Sequence, residues 1–166
     1  MNAVGVTMLS QRSGFLFMAL AMLFLIRPDD AAAQAFIGNY CWNFTITDTT
    51  VTGTVVPSTF VMRSDITAMG GNSYTLIGHV NVAGDNPFTL SGFGHVIGTT
   101  LYLDLSGSQS HATGGWRDTS AIHATIDVST YTGTFYDIGN DYNAVTRVPD
   151  STRYTAGTVA LSSSCP

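Results

Sequence analysis

The sequence predicts an all-β protein, an eight-stranded up-and-down antiparallel β-barrel. Three observations carry the prediction. Beyond residue 35, apolar and polar residues alternate with the two-residue period of half-buried strands, and no stretch there has the 3.6-residue period of a helix. Clusters of Gly, Asn, Asp and Pro punctuate the alternation at short intervals, as turns between neighbouring strands require. The two cysteines, Cys41 and Cys165, stand near the two ends of that portion, and a disulfide between them would make the first and last strands neighbours, the condition for closing a sheet. A β-sandwich is the alternative; an immunoglobulin-like one would place its cysteines on two inner strands with a Trp between them, whereas here Trp42 directly follows the first cysteine and Cys165 all but ends the chain.

Residues 1–35 are expected to be a signal peptide. Arg12 supplies positive charge, residues 14–26 (GFLFMALAMLFLI) are an unbroken apolar run, and Ala33 and Ala35 provide the small residues a signal peptidase accepts. The run is shorter than the about 20 residues of a membrane-spanning helix; a retained N-terminal anchor is the competing reading. Cleavage after Ala35 leaves residues 36–166 as a single β-barrel domain, secreted or periplasmic, where an even pair of cysteines closes. That domain has four arginines against nine aspartates and neither lysine nor glutamate. Such a surface repels phosphate backbones and offers anionic lipid no basic patch, so no nucleic-acid partner and no stable membrane insertion after cleavage are expected. An outer-membrane barrel would need aromatic girdles and long outer loops.

The first strand lies in residues 40–47, where Tyr40, Trp42, Phe44 and Ile46 share one face. Residues 48–59, rich in Thr and Gly, form a long connection with room for a short strand at 51–56, and residues 60–69 form the second strand, ended by Gly70-Gly71-Asn72. The third strand covers 73–83, with Tyr74, Leu76, Gly78, Val80 and Val82 on one face, and the fourth covers 88–97, whose glycines at 92 and 94 point to a bend or bulge. Gly98-Thr99 turns the chain into the fifth strand, 100–106, and the small polar residues 107–115 are expected to be a loop. The sixth strand is 116–129, the seventh 131–138 and the eighth 153–162, with a long connection at 139–152.

Several residues invite chemistry. His79 and His95 lie on adjacent predicted strands and, with Asp65 or Asp104, would make a two-histidine, one-carboxylate metal site; isolated strand histidines on the solvent face are the plainer reading, because no HxH or HxxxH pair occurs. Asp104 and His95 across one hairpin would make an acid–base pair. The chain has no Gly-X-Ser-X-Gly, no glycine-rich phosphate loop before a helix and no CxxC, so the sequence names no catalytic residue, metal or cofactor. Its aromatic residues are more informative as a set. Tyr40, Trp42, Phe44, Tyr74, Phe88, Phe93, Phe135 and Tyr136 either line a ligand cavity or fill the barrel, and eight-stranded barrels do both.

Gly38-Asn39-Tyr40, with Trp42 two residues on, resembles the Gly-X-Trp motif of the lipocalin first strand. Asn140-Asp141-Tyr142 is similar to that family's Thr-Asp-Tyr motif, and Arg153 resembles the arginine that covers its tryptophan. Over most of residues 36–166 the chain thus resembles the calycins, which comprise lipocalins, avidins and fatty-acid-binding proteins. The resemblance implies a closed barrel that binds a small, mainly apolar molecule inside, with polar contacts at the mouth. Two other functions are weighed beside it: an interaction or inhibitor barrel acting on a protein partner through loops 48–59 and 139–152, and a barrel-type cyclase or isomerase, which would need a polar pair inside.

Overall fold

A computed structural model describes residues 34–165, and they form eight strands: β1 (Ala35–Thr49), β2 (Ser58–Gly70), β3 (Ser73–Val80), β4 (Phe88–Ile97), β5 (Thr100–Ser110), β6 (Trp116–Asp127), β7 (Thr132–Asn143) and β8 (Pro149–Leu161). Each pairs antiparallel with the next, and β1 pairs antiparallel with β8, so the sheet closes into an up-and-down barrel with no free edge. The seam runs from Trp42 opposite Leu161 to Thr49 opposite Thr155. The signal-peptide expectation falls on residues that, apart from Gln34 and Ala35, lie outside the described ones. Among the described residues no helix is long and apolar enough to cross a membrane.

Period-two alternation decides which side chains meet inside. Trp42 and Phe44 of β1, Met62 of β2, Leu76 of β3, Leu90 of β4, Leu103 and Leu105 of β5, Ile122, Ala124 and Ile126 of β6, Phe135 of β7 and Val159 of β8 form the buried core. Their intervening neighbours face outward and are largely Thr, Ser, Asn and Asp. At four crossings the backbones approach so closely that only glycine fits: a Cβ on Gly92 would run into the Asp104 carbonyl, and one on Gly157 into the Thr45 carbonyl. These glycines permit the tight coiling that closure of a small barrel demands.

Short turns at residues 71–72, 98–99 and 128–131 gather at one end of the barrel, and the longer loops 50–57, 81–87, 111–115 and 144–148 gather at the other. In the β2–β3 turn, Gly71 and Asn72 take φ of 58° and 62°, which glycine and asparagine tolerate best. In the β6–β7 turn the Asp127 carboxylate accepts hydrogen bonds from the Ser129 and Thr130 amides at 2.7 and 3.3 Å. Cys41 and Cys165 are joined by a disulfide with their Cα atoms 5.4 Å apart, tying the chain's last residues to β1 across 124 positions. Cys41 is buried although it alternates with Trp42, because the C-terminal segment covers it: the Ser162 amide donates to the Cys41 carbonyl at 2.7 Å.

Several expectations need correction. Residues 107–110 belong to β5 rather than to a loop, the connection expected at 139–152 shrinks to 144–148, residues 51–56 form no strand, and the third strand ends at Val80, leaving 81–83 in a loop.

Candidate functional site

An aromatic floor lies between the buried core and the long-loop end of the interior. Phe44 and Phe60 stack with centroids 4.8 Å apart, and Phe135 meets Phe44 edge-on at 5.0 Å. Above that floor, toward the longer loops, lies a cavity of about 270 Å³. Its apolar wall comes from Ile46, Phe60, Val80, Phe88, Leu90 and Ile122, and Val51 and Val82 at its rim belong to loops 50–57 and 81–87. The volume falls near the small end of the range that holds small-molecule ligands, about 300–1,000 Å³.

One side of the cavity is polar, formed by Ser120 of β6, Asp137 of β7, and Arg153 and Thr155 of β8. The alternation that turns Ile122 and Phe135 inward also turns Ser120 and Asp137 inward, two positions away along the same strands. The Ser120 hydroxyl donates to Asp137 Oδ1. Arg153 lies across Gly139, where any Cβ would collide with the guanidinium. Its Nη1 donates to Asp141, its Nη2 to the Thr119 carbonyl at 3.3 Å, and its Nε stands 4.0 Å from Asp137 Oδ2. Asp137 is only 9% exposed. Burial pushes its carboxyl above the usual carboxylate range, partly offset by the Ser120 hydroxyl, the Arg153 charge and the Ala121 amide.

The aromatic residues singled out by sequence go to different places. Phe88 and Phe135 line the cavity and Phe44 supports its floor. Trp42 is buried below, its indole N–H donating to Ser64 Oγ at 3.1 Å, and Tyr40 and Tyr74 pack against the core from the short-turn half. Phe93 and Tyr136, 70% and 43% exposed, face outward and take no part in the interior. Tyr136 stacks on His123 with centroids 4.7 Å apart, and that histidine pairs with Asp104 on the outer wall.

The expected histidine arrangements do not form. His79 lies across from Thr89, while His95 lies across from Ser73 and bonds its hydroxyl at 2.9 Å, so the two never face each other. Asp104 lies across from Phe93, not His95. Among the described residues no group of three His, Cys, Asp or Glu is placed to hold a metal ion. His111 instead bridges loops, its Nδ1 2.5 Å from Asp85 and its Nε2 3.0 Å from Asp118. Arg153 does not cover Trp42 as the lipocalin resemblance implies; Trp42 pairs with Leu161 at the other end of β8.

Sequence reasoning missed the Ser120–Asp137 pair. Its signal was partly available: both are polar residues in the inward phase, each two positions from a buried apolar residue, Ile122 or Phe135. The fold and site together define a closed eight-stranded antiparallel barrel with a small, mostly apolar cavity at one end. No protein-family model, curated protein or solved structure matches the chain.

Proposed function

We propose that the protein is a secreted or periplasmic, calycin-like barrel that captures a small, mainly apolar molecule. The observation that carries this reading is the cavity above the Phe44–Phe60 floor, apolar on most sides with one hydrogen-bonding corner. Such a site gains about 25 cal/mol per Å² of ligand apolar surface buried, and a few fixed polar groups set the ligand's orientation. The disulfide fits an oxidising compartment. The outer wall mixes polar positions such as Arg63, Asp65 and Thr158, which suit water, with exposed apolar ones such as Ile77, Phe93 and Ile138.

The test is native mass spectrometry of the exported protein, followed by denaturing extraction. A stoichiometric apolar molecule released on denaturation supports capture. A protein that is empty as isolated and binds none of a panel of small apolar compounds overturns it.

A second reading, an interaction barrel, is favoured by the loops beside the cavity. Val55 of loop 50–57 and Val145 of loop 144–148 are 79% and 82% exposed, and both loops lie within the segments expected to contact a protein partner. Under that reading, substitutions at Val55 and Val145 weaken partner binding and cavity substitutions leave it unchanged.

A further inference from the structure

We propose that the cavity selects, among small apolar molecules, those carrying a neutral hydroxyl, an alcohol or a phenol, held between Asp137 Oδ2 and Arg153 Nε. This specificity rests on the capture reading above and goes beyond it in naming the ligand's polar group. The two atoms are 4.0 Å apart, too far to hydrogen-bond each other. The gap matches a single oxygen placed about 2.8 Å from each. The other strong bonds of the corner are already committed: Ser120 serves Oδ1, Asp141 takes Nη1, and the Thr119 carbonyl takes Nη2. What remains facing the gap is an acceptor, since a carboxylate oxygen has two lone pairs, and a guanidinium donor.

A hydroxyl is the group that serves both, donating to Asp137 and accepting from Arg153. A carboxylate ligand would add a third acid beside Asp137 and Asp141, which share one arginine. An ammonium group has donors only and would sit against the Arg153 charge. An unfunctionalised hydrocarbon would strip water from both groups and replace it with nothing, which costs affinity. Space is sufficient, because an engineered cavity of about 150 Å³ already holds benzene, and this one measures about 270 Å³.

Four compounds of nearly equal shape decide the matter: 2-phenylethanol, ethylbenzene, phenylacetate and 2-phenylethylammonium, each titrated calorimetrically into the exported protein at neutral pH. The alcohol is expected to bind about tenfold tighter than ethylbenzene, the increment of one to two net hydrogen bonds, and tighter than either ion. In Asp137→Asn the handicap of phenylacetate relative to the alcohol should shrink about tenfold, as expected when one adjacent charge is removed. If ethylbenzene matches the alcohol, or either ion binds as tightly, the hydroxyl proposal is overturned while capture stands. If none of the four binds, the hydroxyl proposal falls, and capture is decided by the native mass spectrometry and wider panel described above. The wild-type panel decides even where the variant does not fold.

Discussion

Phe44 and Phe60 lie face to face, 4.8 Å between centroids and 5° from parallel, and this stack lies between the buried core and the cavity. Phe44 is completely buried, whereas Phe60 borders the cavity. Truncating Phe44 to Ala therefore removes a ring that the neighbouring strands cannot replace, and should lower stability by about 3–5 kcal/mol in urea unfolding. Phe60→Ala should cost less and enlarge the cavity, so that bulkier apolar ligands gain affinity relative to small ones.

The Cys41–Cys165 bridge closes a loop that contains almost the whole domain. Cys165→Ser should lower stability by about 2–5 kcal/mol, and reducing agent should do the same to the wild type while leaving the variant unaffected. Equal thermal unfolding of the oxidised wild type and the variant would show that closure of the barrel owes nothing to the bridge.

Barrel closure also depends on bare backbone at the crossings. Gly157→Ala places a methyl group against the Thr45 carbonyl of β1, directly at the seam. The cost should be about 1–3 kcal/mol or more, the range for overpacking. Thr158→Ala, on the exposed side one residue away, should stay within about 0.5 kcal/mol of wild type. Thermal melts of the two variants provide the comparison.

Two aspartates should respond oppositely to acid. The folded Asp137 carboxyl is raised above its ordinary value of 3.8, so the fold favours its protonated form. Its favourable contribution is present in full below the unfolded value and is lost as pH rises through the folded one. Asp137→Asn should accordingly gain stability relative to wild type on going from acid to neutral pH. Asp127 is lowered, chiefly by the Ser129 hydroxyl and amide, so its contribution is present above the unfolded value and disappears as pH falls through the folded one. Asp127→Ala should thus differ most from wild type at neutral pH. Urea midpoints across the acid range read both.

Much of this architecture is legible in the sequence because alternation and turn residues are local signals. The fourth strand, residues 88–97, and the tight turn at Gly98-Thr99 appear as expected. Where the expectation stopped short, tertiary contacts overrode local composition. Residues 107–110 look like a loop, yet Gly107 is the residue whose missing side chain lets β5 approach β4, and Gln109 is buried with its amide donating to the Asn86 carbonyl at 2.8 Å. Residues 139–143 look like a connection, but Asn140 and Asp141 each accept a hydroxyl hydrogen bond at 2.8 Å from β8, from Thr152 and Ser151.

The candidate site was less legible, for two reasons. Counting aromatic residues ignored strand phase: Phe135 and Tyr136 are consecutive and cannot both face inward, and Phe93 is out of phase with Phe88 and Leu90. Pairing histidines by adjacent strands ignored register, which sets His95 opposite Tyr102 on β5 and leaves Asp104 to His123 on β6. Phase alone narrows the inward polar residues of β6 and β7 to a few, Ser120 and Asp137 among them. Arg153's place beside them required the β7–β8 register, which sets it opposite Gly139.

The most direct test of capture by the cavity is an NMR titration of the isotope-labelled protein with 2-phenylethanol, run in parallel on Ile122→Trp, which fills the cavity. Saturable amide shifts at Val80, Leu90, Ile122 and Phe135, absent in the variant, are the predicted result. Shifts that never saturate, that cluster on the outer wall around Phe93 and Tyr136, or that persist unchanged in Ile122→Trp would contradict an interior ligand site.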